Sequence, residues 1–225
     1  MSKSVLIVGA GFGLSAAIAR KCHNLGMHVS LAARNIQKLE NIIQETGADA
    51  FTCDASEIDQ VVDLFEWQDK FNRTLDLVVY NPSARVRGPI QDLDIKKTHK
   101  ALEITCFGAF LVAQQASKRM LKQGSGSIFF TGASAGVKGF ANSSVFAMGK
   151  FGLRGLAQAL ARELHPKNIH IGHFVIDGGI TSDSENTSDF MLKASSIADT
   201  YLQFYEQDRS AWSWEIELRP WVENF

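Results

Sequence analysis

The first patterned stretch is Val5-Leu-Ile-Val8, four branched apolar residues with no polar alternation. Such a run predicts a strand buried on both faces, as in the middle of a parallel sheet. Glycines follow at every second position, Gly9, Gly11 and Gly13, and an Ala-rich run from Leu14 to Arg20 predicts a helix closed near Gly26. The same alternation continues along the chain. Strands are predicted at His28–Ala33, Ala50–Thr52, Leu75–Tyr80, Ser127–Thr131, Ile169–Ile176 and Glu215–Leu218. Between them lie helical patterns over Ile36–Glu45, capped by Asn35 and stopped at Gly47, and from a Ser56/Asp59 capping box through Leu64 to Lys70. Further helices are expected over Ile95–Gln123, with Gly108 and Ala109 in its middle, from Asn142 or Ser143 to Leu164, and over Ile197–Gln207. A polar stretch, Thr181 to Asp189, reads as part of a substrate flap (about 181–196).

Strand and helix alternating without a break in composition predict an α/β fold over 1–225. This is one doubly wound parallel sheet of about seven strands with helices on both faces, and ligands at the carboxyl ends of the strands.

The first turn is itself a candidate site. Glycine adopts the required backbone conformations at low cost, and the free N–H groups and dipole of the new helix favour an anion such as a phosphate. Dinucleotide-binding units that take NAD typically carry an acidic residue at the end of the second strand. Here that position is Ala33, followed by Arg34. A carboxylate would repel a 2′-phosphate, whereas a guanidinium pairs with it, so NADP(H) is expected over NAD(H). A methyltransferase-like fold binding S-adenosylmethionine is the alternative for such a turn, and Arg34 argues against it.

The totals narrow the function. The 225 residues are 45% hydrophobic and 21% charged, with 23 basic and 24 acidic side chains. That balance gives no basic stripe and argues against a nucleic-acid partner. No apolar run approaches the ~20 residues that span a bilayer, and the amino terminus carries no signal-peptide pattern, so no membrane partner is expected. Cys22, Cys53 and Cys106 are scattered, which fits a reduced, cytoplasmic protein. The six histidines form no ligand set, and no metal is expected.

Five landmarks in order resemble the short-chain dehydrogenase/reductase family. Gly9-Ala-Gly-Phe-Gly13-Leu14 resembles its G-x-x-x-G-x-G turn, with Ser15 where the third glycine is usual. Cys53-Asp54-Ala55 resembles the segment that holds adenine. Tyr80-Asn81-Pro82-Ser83-Ala84 stands where the family has N-N-A-G, Phe146-Ala-Met-Gly-Lys150 where it has Y-x-x-x-K, and Asp177-Gly178-Gly-Ile180 where it has the turn beside nicotinamide. The resemblance implies a cofactor site at Gly9, Gly11, Phe12, Gly13, Leu14, Arg34, Asp54, Ala55, Asn81, Pro82, Lys150, Gly178 and Ile180.

Catalysis is where the resemblance breaks. The family's proton donor is a Tyr, its carbonyl-polarising group a Ser, and its relay group an Asn. Those positions fall on Phe146, Ala133 and Thr105, and only Lys150 is kept. Ser134 and Ser143 are the nearest hydroxyl candidates for catalysis, Tyr80 is a further one, and Arg85, Arg87 and Asp177 are expected to border the pocket. General acid catalysis typically contributes ~10²–10⁴ in rate and one oxyanion donor ~10²–10³. Cofactor binding is therefore expected to outlive conventional carbonyl reduction. Two functions follow: an oxidoreductase with reduced or unconventional hydride transfer to an unidentified small molecule, or a non-catalytic NADP(H)-binding sensor or partner subunit. The two long helices, with Phe107, Phe110 and Phe151, imply a homodimer or homotetramer, and the aromatic segment Trp212–Trp221 is expected to pack at a subunit contact or beside the pocket.

Overall fold

Val5 and Ile7 face one side of the first strand while Leu6 and Val8 face the other, and all four are buried in two separate apolar clusters. That division organises the molecule, a computed structural model describing residues 3–181 and 188–223. The strands are β1 (Ser4–Val8), β2 (His28–Ala33), β3 (Asp49–Thr52), β4 (Leu77–Tyr80), β5 (Gly126–Thr131), β6 (Ile169–Ile176), β7 (Gly179–Thr181), β8 (Met191–Lys193) and β9 (Glu215–Leu218). The helices are α1 (Leu14–Asn24), α2 (Glu40–Thr46), α3 (Ile58–Asp69), α4 (Ile95–Leu102), α5 (Gly108–Gln123), α6 (Ser144–Leu164) and α7 (Ala194–Tyr205).

Seven strands form one parallel sheet in the order β3-β2-β1-β4-β5-β6-β9. The order reverses between β1 and β4, and there the crevice for a ligand opens. Helices α1 and α7 cover one face, and α3, α5 and α6 the other. The predicted α/β sheet and its seven strands are therefore present.

Three details differ from the sequence reading. The proposed capping box at Ser56 does not form: α3 starts at Ile58 after Glu57, and the Ser56 hydroxyl donates to Asp54 instead, at 2.6 Å. The helix expected over 95–123 is interrupted by a π-helical turn, Glu103–Phe107. Asp94 caps α4 by accepting from the Lys97 N–H at 2.8 Å. The region assigned to a flap contains a short parallel ribbon of β7 and β8, and its helix already begins at Ala194. Residues 182–187 of that flap lie outside the described residues.

The aromatic carboxyl-terminal segment packs within its own chain. The Trp212 ring stacks on His170 with centroids 4.6 Å apart, and Trp214 lies over Arg154. Trp221 is exposed, and Glu223 reaches the rim of the site described next.

Candidate active site

Two cavities lie along the carboxyl ends of the strands and meet at Asn81 and Ser83. The smaller, about 440 Å³, is bordered by Gly9, Arg34, Asp54, Ala55 and Pro82. The larger, about 780 Å³, is bordered by Arg85, Arg87, Ala133, Ser134, Ser143, Phe146, Lys150, Asp177, Gly178 and Ile180.

The smaller cavity is built on the glycine turn. Gly9 has φ +78°, and a Cβ there would stand 2.6 Å from Pro82, so the close approach of the two turns requires glycine. At Gly11 and Gly13 a Cβ would meet nothing within 4 Å, so the turn faces open space on the side where α1 begins. Phe12 is exposed at the tip, and Leu14 points into the core, which leaves only its backbone at the site. The Ser15 hydroxyl donates to the Gly9 carbonyl at 3.3 Å and accepts from Asn81 Nδ2 at 2.7 Å.

Arg34 is exposed where β2 ends. Asp54 accepts from the Ser56 N–H and hydroxyl, forming a local turn. Burial raises the Asp54 pKa, but these bonds and the charges of Lys100 and Arg34 outweigh it, so the carboxyl ends below its ordinary range.

The wall between the cavities and the sheet depends on the π-helical turn, a deformation often found at functional sites. Tyr80 donates its hydroxyl to the Ile104 carbonyl, and the Thr105 hydroxyl accepts from the Ala84 N–H at 3.0 Å. Tyr80 is fully buried and its hydroxyl is engaged there, so it is no proton donor for the cavity. Thr105 thereby anchors the loop that carries Arg85.

In the larger cavity Lys150 is 2% exposed and donates from Nζ to the Thr131 carbonyl at 2.6 Å. Burial, and next the charge of Arg85, lowers its pKa to about 7. No carboxylate neutralises it among the described residues. Phe146 lies one turn before it, with the ring centroid 5.8 Å from Nζ, while the guanidinium carbon of Arg85 is 4.1 Å from the same centroid.

The serines divide. Ser134 is hydrogen-bonded to Asp177, whose carboxylate also meets Lys138 at 3.3 Å and Arg219 at 3.4 Å. Burial raises Asp177, but these partners hold it below the usual carboxylate range. Ser143 occupies the N-cap of α6 without making a side-chain cap bond, and it borders the cavity. Behind the wall, Gly132 leaves room for the His173 ring, which is bonded to Glu215 at 2.9 Å, and Glu215 takes both arms of Arg154 at 2.7 Å.

Sequence reasoning missed Ser83 and Asn142, which carry no chemical signature, and Glu223, a surface carboxylate by pattern. The one available signal for the π-helical turn was Gly108, whose Cβ would lie 2.5 Å from both the Ala55 carbonyl and the Tyr80 hydroxyl. Among the described residues no group of metal-ligating side chains exists, and no helix is long and apolar enough to cross a membrane.

Known proteins share this fold. The sequence model of the short chain dehydrogenase family matches residues 3–190. A short-chain dehydrogenase from Rhodopseudomonas palustris is 33% identical, with a TM-score of 0.86 over 97% of this chain and 99% of that one. An uncharacterized oxidoreductase of Staphylococcus aureus (strain USA300) is 25% identical over 224 residues, 97% of each chain. An alcohol dehydrogenase from the archaeon Thermococcus sibiricus, complexed with 5-hydroxy-NADP, shares the fold at a TM-score of 0.88, with 20% identity over 100% of this chain and 99% of that one.

Proposed function

The chain belongs to the short-chain dehydrogenase family, and from that premise we propose that it binds NADP(H) in preference to NAD(H) and passes hydride to or from a small molecule without the family's hydroxyl pair. The observation that carries this reading is Lys150, a buried amine held on the Thr131 carbonyl in a cavity continuous with the glycine turn. A buried amine with no carboxylate beside it is costly to charge unless a ligand shares it.

The residues fit a phosphorylated dinucleotide. The N–H groups at the start of α1 would take the pyrophosphate, Arg34 the 2′-phosphate, the 53–55 segment the adenine, and Lys150 the ribose hydroxyls. When bound, the nicotinamide supplies or accepts the hydride. Phe146 and Ala133 exclude water and offer no proton. Ser143, uncapped at the cavity rim, is the hydroxyl placed to donate a hydrogen bond to a substrate oxygen. Substrates with an activated C=C or C=N bond, which need little acid assistance, suit such a centre. The T. sibiricus complex supports the choice of phosphorylated cofactor. Three unpaired cysteines support a cytoplasmic location.

The test is calorimetric titration with NADPH and NADH, followed by turnover on a panel of ketones, enones and imines. Expected are tighter binding of NADPH, a reversed preference in Arg34→Glu, and loss of turnover in Lys150→Met. Absence of binding to either nucleotide overturns the reading. Binding without turnover selects a second one, a non-catalytic sensor or partner subunit. That alternative is favoured by Arg85 covering the ring at the Tyr position and by Ser134 being tied to Asp177.

A further inference from the structure

The loop after β4 brings Arg85 and Arg87 to the wall of the larger cavity. Among the described residues neither makes an ion pair or donates a hydrogen bond to another residue, and the guanidinium of Arg85 lies over the Phe146 ring at 4.1 Å. An aromatic face attracts a guanidinium but offers no lone pair to its N–H groups. Like charges two residues apart repel, and burial together with Arg87 lowers the Arg85 pKa. Lys150 adds a buried amine on the same cavity. The carboxylates there do not balance them: Asp177 is committed to Lys138 and Arg219, and Glu223 pairs with neither arginine.

We propose that Arg85 and Arg87 form a binding site for the carboxylate of a small-molecule substrate, which Arg85 holds beside the Phe146 ring. This rests on the larger cavity being the reaction chamber and names the class of molecule that enters it. A guanidinium presents paired N–H groups that match the two oxygens of a carboxylate. An arriving carboxylate also relieves the repulsion between the two arginines. Phe146 then has a positive use: its ring face seats the Arg85 guanidinium that binds the carboxylate.

Paired probes test this: benzoate against benzamide, and succinate against succinamide, titrated calorimetrically into cofactor-free and NADPH-loaded wild type, Arg85→Ala, Arg85→Lys and Arg87→Ala, each checked for an unchanged melting temperature. At least one acid is expected to bind while its amide does not. Arg85→Ala should weaken the acid about tenfold or more, as for loss of a charge-assisted pair. Arg85→Lys should recover only part, because an ammonium lacks the fork. Equal binding of acid and amide, no binding of either acid, or unchanged affinity in Arg85→Ala overturns the proposal. So does an equal loss of NADPH affinity in Arg85→Ala, which would assign the arginines to the cofactor. Carboxylate binding to cofactor-free protein that fails to bind NADPH would sink the cofactor reading alone.

Discussion

Asn81 donates its side-chain amide to the Ser15 hydroxyl at 2.7 Å, joining the end of β4 to the first turn of α1 across the switch in strand order. The Ser15 hydroxyl thereby fastens the two walls of the smaller cavity. Ser15→Ala removes the partner of the Asn81 amide and should cost about 1 kcal/mol. Asn81→Ala should cost a similar amount, and the double variant less than their sum. Urea unfolding of the four proteins yields the coupling directly. Full additivity would mean that the bond contributes nothing.

The π-helical turn predicts a second sensitivity. Gly108 faces the Ala55 carbonyl and the Tyr80 hydroxyl with no room for a methyl group. Gly108→Ala should therefore destabilise the fold by about 1–3 kcal/mol through overpacking, despite alanine's better helix propensity. Tyr80→Phe, which frees the Ile104 carbonyl, should cost about 1 kcal/mol and raise hydrogen exchange of amides 103–108. A stabilising Gly108→Ala would refute the close approach.

Lys150 sets a pH dependence. Burial and Arg85 bring its pKa from 10.5 to about 7. Between pH 7 and 10.5 the unfolded chain holds a proton that the folded chain has released. Stability contributed by this group therefore rises with pH across that window and is lowest below pH 7. Lys150→Met removes the titration and adds only a pH-independent offset. The difference in unfolding free energy, wild type minus variant, should rise by about 1 kcal/mol per pH unit between pH 7 and 9. His173, lowered mainly by burial to about 4, titrates well outside this range. A difference that stays flat would show an ordinary lysine.

Much of this was legible in the sequence because local chemistry and fold agree. Runs such as Val5–Val8 and Leu77–Tyr80 specify central strands by having no polar face. Glycines at 26, 47 and 124 all take positive φ where helices end. What stayed hidden depends on contacts between distant segments. Nothing near Ser134 announces Asp177, 43 positions later, and the pattern of 95–123 reads as one helix until Tyr80 is known to reach Ile104. Arg85 was readable as a pocket charge, but its seat on Phe146 depends on the loop held by Thr105.

Helices α4 to α6 present apolar surface with nothing on it. Phe107 and Phe110, with ring centroids 6.1 Å apart, are over 40% exposed, as are Met148 and Phe151. Such a patch points to association, and we expect a homodimer or homotetramer formed through it. Phe107→Glu combined with Phe151→Glu should give a monomer by light scattering. A wild-type monomer would leave the patch without this role.

The final prediction concerns hydroxyls introduced at Phe146 and Ala133. Phe146 lies at the cavity wall, beside the Lys150 amine and within reach of the Arg85 guanidinium, which would lower the pKa of a tyrosine in its place. Ala133 borders the same cavity and, unlike Ser134, has no side chain committed to Asp177. If the cofactor cradle is intact, Phe146→Tyr should raise kcat/KM for NADPH-dependent ketone reduction by about 10²–10⁴, the usual contribution of a general acid. Adding Ala133→Ser should raise it further, by up to about 10²–10³. Both substitutions add one oxygen, so overpacking must be excluded by an unchanged melting temperature. NADPH binding that persists in the double variant without any gain in rate would mean that the ring under Arg85 is closed to ketones.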